Sequence, residues 1–174
     1  MWAKHFLFFF ALSNSLSSYS QNIMVESNQV LIKTIMDDLF SPPVASRIHL
    51  YANAAAYEVY AKQNPAIKSF SKFSQLPPIL APSQKLDNDI AATVAFVKTG
   101  LTYIYTEDYL NAFLAEKEKL WARKDQSIVK NSINYGEAVA KQIIEWSKGD
   151  NYGYTRTLQR YVLSDTSGAW QQTP

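Results

Sequence analysis

Residues 41–59 read SPPVASRIHLYANAAAYEV, and the reading of this stretch decides the fold. Serine is a good N-cap, and proline is tolerated in the first helical turn because its missing N–H would have no partner there anyway. Ser41-Pro42-Pro43 therefore ends one helix and begins another. Beyond it, Ile48, Ala52, Ala55 and Val59 keep helical spacing, and Ala54-Ala55-Ala56 offers a thin face for close packing against a neighbour. The pattern predicts a helix buried early and deeply.

Outward from this helix, four more periodic segments predict an all-α bundle of about five main helices. Upstream, a helix is expected from about Glu26 to Leu39, with Val30, Ile35 and Leu39 close to one face and Leu31 beside them. Downstream, residues 63–85 carry Pro65, Pro77, Pro78 and Pro82 with no sustained period, which reads as a connector lying over the surface. Within it, Ile67, Phe70, Phe73 and Leu76 resemble a short anchoring helix.

The third helix opens near Asp87 or Asp89, whose carboxylates suit a helix N-terminus, and lays Ile90, Val94, Val97, Leu101 and Ile104 along one stripe. A break near Thr106 starts a fourth through Tyr109, Phe113 and Leu120. Its charged run Glu116 to Lys119 reads as a solvated face with i,i+3 pairs such as Glu116 with Lys119. The fifth, from about Gln126 to Lys148, carries Ile128, Tyr135, Val139, Ile143 and Trp146, with Gly149 as its C′ residue. Gly136, in its middle, reads as a point of close contact between helices. No strand alternation and no internal repeat is found.

From Asp150 to Pro174 the pattern changes to aromatics, glycines and polar residues without a period. Tyr152, Tyr154, Tyr161 and Trp170 need apolar surface to cover, so either the natural protein continues or this irregular tail wraps back over the bundle. The organisation expected is thus a leader at 1–20, a helical bundle at 21–149 and a tail at 150–174.

The leader is read from Lys4 and His5 preceding the apolar run Phe6 to Leu12 and the polar stretch Ser13 to Ser20, the order of a secretory signal peptide. Cleavage after Ser20 would make Gln21 the first mature residue. The apolar run is shorter than the roughly 20 residues a bilayer requires, so no stable membrane anchor is expected. Export to the periplasm or beyond follows. The absence of cysteine removes disulfides and thiolate metal sites together.

Composition excludes further classes. With 47% hydrophobic and 14% aromatic residues the 174-residue chain can bury a real core. Its formal charge of +2 is too balanced for nucleic acid or an anionic membrane surface to be the main partner.

The chemistry-bearing residues are few. Outside the leader the sole histidine is His49, within an apolar and aromatic helix and with no nucleophile near it in sequence, which reads as a packed or helix-surface residue. A His-rich metal site is therefore ruled out. Asp37-Asp38, Asp87-x-Asp89 and Glu107-Asp108 lie near helix ends and read as caps and solvated termini; the Glu-x-x-His spacing of bundle di-iron sites is missing. Neither a phosphate-binding loop, nor a dinucleotide glycine fingerprint, nor G-x-S-x-G occurs. Arg156 and Arg160 could clamp an oxyanion if both turned inward, but arginines in such a tail more often stack on aromatics or pair with surface carboxylates. No catalytic, cofactor-binding or metal-binding residue is assigned.

Three stretches carry a resemblance: SPPVASR (41–47) followed by YANAAAYE (51–58), then YGEAVA (135–140) leading into WSKGD (146–150), and finally Arg160-Tyr161 with GAWQQTP (168–174). In this order and at these separations they resemble the N-terminal half of bacterial proteins similar to vanadium-dependent haloperoxidases, within the type 2 phosphatidic acid phosphatase superfamily. The resemblance covers essentially the whole mature chain. It implies packed helical bundles and, in the C-terminal half of the family, a phosphate- or vanadate-sized oxyanion held by Lys and Arg with the help of histidines. The motifs that supply them are a Lys followed at a distance by Arg-Pro, a Pro-Ser-Gly-His, and an Arg with a downstream His. None is present here, so no family residue is carried over to any position.

The expectation is accordingly a scaffold portion of an exported haloperoxidase-like or acid phosphatase-like enzyme. It would need no cofactor of its own, and its partner would be the missing C-terminal catalytic half. A second reading, from a different class, is a complete non-enzymatic periplasmic helical module whose apolar tail binds a partner.

Overall fold

The computed structural model describes residues 23–72, 74–159, 162–164 and 166–171, which contain helices and no strand. The expected leader, Phe73, Arg160, Tyr161 and the final Thr173-Pro174 lie outside them. The helices are α1 (Ile23–Asp37), α2 (Pro42–Gln63), α3 (Asn88–Leu101), α4 (Asp108–Trp121), α5 (Gln126–Ser147) and the single turn α6 (Tyr152–Thr155). About five main helices were expected, and the described residues contain five, with the single turn α6 besides.

α3 is the axis of the bundle. The sequence predicts one apolar stripe on it, but all eight residues from Ile90 to Val97 are buried, so the helix is enclosed on every side. Its one polar member among these eight, Thr93, needs no partner on another helix, because its hydroxyl donates to its own helix at the Asp89 carbonyl, 2.7 Å away. α2 packs antiparallel to α3, with the Tyr60 hydroxyl donating to Asp89 at 2.8 Å where the C-terminus of α2 meets the N-terminus of α3. α5 runs alongside α3 in the same direction. At one end Asp87 N–H donates to the Ser132 hydroxyl at 2.8 Å, and at the other Tyr103 meets Ser147.

These seams are thin by composition. α2 contributes Ala52, Ala54, Ala55 and Ala56, α3 contributes Ala91, Ala92 and Ala95, and α5 contributes Gly136 and Ala140, all buried. At Gly136 a Cβ would lie 2.5 Å from the Ala91 carbonyl oxygen and 2.9 Å from Val94 Cβ, so only glycine fits this α3–α5 contact.

α1 and α4 close the other side of α3. α1 buries Ser27, Leu31, Thr34 and Ile35, and the two hydroxyls donate to the carbonyls of Ile23 and Val30. Asn28 and Asn53 exchange side-chain hydrogen bonds between α1 and α2. The predicted core position at Leu39 is corrected: the helix ends at Asp37, Leu39 takes a left-handed φ of 56°, and its side chain is 88% exposed. Phe40 N–H donates to Ile35 C=O and Leu39 N–H to Met36 C=O, the pairing that closes a helix through a left-handed residue.

Two readings of α4 also change. The buried face is Leu110, Phe113, Leu114, Lys117 and Trp121, spaced i, i+3, i+4, i+7 and i+11, so Leu120 points to solvent and Trp121 takes its place. Lys117 is not part of a solvated face. It is nearly buried and reaches Glu26 of α1 at 2.6 Å and Glu116 at 3.2 Å, and this pair with Glu26 raises its pKa.

The connector of residues 64–87 lies on the surface but is clasped from below. Glu58, fully buried in α2, accepts the Ser69 hydroxyl at 2.8 Å and the Phe70 N–H, and a 3-10 turn forms at Phe70–Lys72. Leu76 and Ile79 enter the core. From α5, Tyr135 donates to the Leu80 carbonyl at 3.0 Å, and Gln142 to those of Pro77 and Pro78 at 3.0 and 3.2 Å. Burial, with the nearby charge of Glu58, pushes the Tyr135 hydroxyl up to about 12.

At the end of α5 the C′ assignment of Gly149 is corrected. The helix tightens into a 3-10 turn at Lys148–Asp150, and the left-handed residue is Asn151, with φ of 64°. Asparagine tolerates this conformation better than most L-residues. Only the start of the tail turns back, with Tyr152 over Arg47 of α2; among the described residues beyond it, Tyr154, Leu158, Val162, Leu163 and Trp170 are each more than half exposed.

Candidate functional site

The N-terminus of α2 and the C-termini of α1, α3 and α5 meet at one end of the bundle, where a half-open cleft of about 470 Å³ is found. On α2, Val44, Arg47, Ile48 and Tyr51 are spaced i, i+3, i+4 and i+7 and so share the face that lines it. Phe40 and Tyr105, stacked with centroids 5.0 Å apart, form one rim. The opposite wall is aromatic as well: Tyr51 lies 5.2 Å from Tyr103 and edge-on to Trp146 at 5.9 Å.

Arg47 is the charged centre of this apolar cleft. One Nη is ion-paired with Asp150, and the guanidinium lies 4.5 Å over the Tyr152 ring and 5.7 Å from that of Tyr51. Its Nε is buried and has no hydrogen-bond partner. Asn151 makes the arrangement possible, because its left-handed backbone turns the chain after Asp150 and brings Tyr152 back over Arg47. Tyr152 N–H donates to Asp150 Oδ1 at 2.7 Å, which fixes the same carboxylate from its other side.

Beside Arg47, Ser147 donates to the Ile144 carbonyl at 2.7 Å and receives the Tyr103 hydroxyl. Burial raises the pKa of Tyr103 despite that hydrogen bond and the nearby Lys148 and Arg47. Lys148, the other cation of the lining, is ion-paired with Glu145.

This donor set does not suit the phosphate- or vanadate-sized oxyanion that the sequence resemblance implies for the C-terminal half of the family. Both cations of the cleft are compensated by carboxylates, Asp150 adds a negative charge to the lining, and the walls are hydrocarbon and aromatic. Among the described residues, no group of three or more His, Asp or Glu is placed to hold a metal ion.

The residues weighed from sequence are dispersed. His49 is on α2 but outside the cleft lining, half-buried, and burial lowers its pKa. Asp37 pairs with Lys33 at 2.8 Å. Asp38 instead accepts the N–H groups of Tyr105 and Thr106, at 2.8 and 3.1 Å, and so ties the α3–α4 loop to α1. Asp87 caps α3 by accepting from Asp89 and Ile90, and also pairs with Lys124 at 2.6 Å. Glu107 precedes α4 without a side-chain cap bond. Arg156 lies 6.0 Å from the Tyr152 ring, stacking rather than clamping, and its expected partner Arg160 is outside the described residues.

The Arg47–Asp150–Tyr152 cluster was not singled out from sequence. The available signal was Arg47 itself, an arginine set between Val44, Ile48 and Tyr51 on a helix face that otherwise reads as core.

No protein-family model matches the sequence, and no curated protein does. A solved structure does: the crystal structure of a bacterial vanadium-dependent iodoperoxidase matches with a TM-score of 0.79 and 33% sequence identity, over 87% of this chain and 38% of that one. The fold of this bundle is haloperoxidase-like, and the chain spans about two-fifths of the length of the solved chain it matches.

Proposed function

We propose that this haloperoxidase-like chain is the N-terminal helical scaffold portion of an exported vanadium haloperoxidase-like or acid phosphatase-like enzyme, and that it is not catalytically competent alone. The observation that carries the reading is the match to the iodoperoxidase, which is extensive on this side and partial on the other, 87% against 38%. The sequence supports it too: the resemblance assigns the Lys, Arg and His motifs to a C-terminal half, and residues 21–174 contain a single histidine. Any vanadate or phosphate oxyanion would be held by that half. The partner of this bundle is then the catalytic half of the same protein, and the leader at residues 1–20 directs both out of the cytoplasm.

The coding sequence downstream of Pro174 tests this most directly. A further helical block with Lys…Arg-Pro and Ser-Gly-His motifs is expected, and the longer product, supplied with vanadate, should oxidise iodide or hydrolyse a phosphomonoester while the 174-residue chain does neither. A stop codon with no such block encoded nearby overturns the reading.

A further inference from the structure

We infer that the end of the bundle bearing the Arg47 cleft is the surface on which the remaining part of the longer enzyme packs, through an apolar helical segment seated between Phe40, Tyr105 and Tyr152. This rests on the reading of the chain as part of a haloperoxidase-like protein.

Four observations converge on this end. The most exposed large apolar side chains of α1 and its following turn, Met36 at 68% and Leu39 at 88%, lie here, as does Tyr105 at 78%. Between them is a concavity rather than a flat face, of a size to accept several side chains. The Arg47 side chain lines this concavity and stays partly exposed, so its guanidinium presents N–H donors there. A carbonyl or carboxylate oxygen of an inserted segment would accept from them. Finally, the chain leaves the bundle at this cleft, through Asp150 and Tyr152, and the residues that follow keep Tyr154 and Leu158 exposed.

The opposite end of the bundle is built differently. There Lys124 pairs with Asp87 and Lys117 with Glu26, and Asp125 caps α5. Charged, mutually paired ends of this kind are solvated, whereas a rimmed apolar patch marks an interaction site. The length available for a partner segment is consistent: in the iodoperoxidase most of the chain lies outside the matched region.

Hydroxyl-radical footprinting read by mass spectrometry, on the 174-residue chain and on the longer gene product, tests the assignment. Oxidation of Tyr105 and Met36 is expected to fall severalfold in the longer product, while Tyr57 and Leu120, exposed elsewhere on the bundle, keep their rates. Equal oxidation of Tyr105 in both proteins overturns this inference and leaves the proposed function standing. Loss of Tyr105 oxidation on concentrating the 174-residue chain alone assigns the surface to a second copy and overturns it as well. If nothing is encoded beyond Pro174, this inference and the reading it rests on fall together.

Discussion

The Glu58 carboxylate and the Ser69 hydroxyl meet at 2.8 Å inside the protein, joining the middle of α2 to the connector that crosses its surface. The same carboxylate takes the Phe70 N–H, so one buried acid satisfies two donors of a segment that has no helix of its own to satisfy them. Replacing it with alanine leaves the Ser69 hydroxyl able to turn to Ser71 Oγ, 2.7 Å away, but strands the Phe70 N–H, at about 1–3 kcal/mol for a group left unsatisfied. Glu58→Ala is therefore expected to lower the urea midpoint markedly and to speed amide exchange at Phe70, with Glu58→Gln, which keeps an acceptor, in between. Unchanged exchange at Phe70 in the alanine variant would remove the connector clasp from the account.

Gly136 sets two opposing magnitudes against each other. Alanine is the better helix former by about 1 kcal/mol. Against this, its Cβ meets a backbone carbonyl, that of Ala91, which cannot rotate away, and overpacking of a close core contact costs roughly 1–3 kcal/mol. Gly136→Ala is expected to destabilise, and Gly136→Val more strongly, in equilibrium denaturation. A Gly136→Ala protein at least as stable as the parent would mean that α3 and α5 can separate freely.

Leu39 presents the reverse case. It holds a left-handed φ that costs a residue with a Cβ about 1–2 kcal/mol, and its side chain is almost wholly in solvent. Glycine in the unfolded chain has more freedom to lose, which takes back about 0.5–1 kcal/mol. Leu39→Gly is expected to raise the melting temperature of the 174-residue chain slightly. A clear fall would show that Leu39 covers apolar surface in this chain by itself.

Acid lability should be traceable to two carboxylates. Burial opposes ionisation of Asp38, but its hydrogen bonds from Thr106 and Tyr105 outweigh it and hold the carboxyl below the ordinary 3.8. For Asp87, burial is likewise outweighed, by Lys124 and the N–H groups of Ile90 and Asp89. A folded-state pKa below the unfolded one means that the stabilisation is complete above the unfolded value and is lost as pH falls through the folded one. Melting temperature should thus be insensitive to these groups near neutrality and drop below about pH 4. Asp38→Asn and Asp87→Asn should be less stable at neutral pH and show a shallower acid decline; parallel pH profiles for parent and variants would exclude both residues.

The five helices were legible because each announces itself through spacing, and the breaks at Ser41-Pro42-Pro43 and in the proline-rich connector fall where backbone chemistry requires them. What could not be read was which face meets which neighbour. The one-stripe reading of α3 failed because Thr93 and the alanines look neutral in sequence but are buried by four surrounding helices. Lys117 looked solvated because its partner, Glu26, is 91 residues away. The candidate site was hidden for the same reason: Arg47 and Asp150 are 103 residues apart, and Tyr152 is turned back over Arg47 by a left-handed residue at Asn151, where the sequence points to Gly149.

The alanine-lined seams between α2, α3 and α5 have an entropic consequence. Burying a leucine or a methionine freezes rotamers that were free in the unfolded chain, whereas alanine has none to freeze. At Ala52, Ala55, Ala91, Ala92 and Ala95 the contacts are therefore made without side-chain ordering, and their gain is held in the close approach of the backbones. Such a seam has no side chain that can repack around an added atom. The bundle is thus a fixed frame whose adaptable surfaces are confined to its ends.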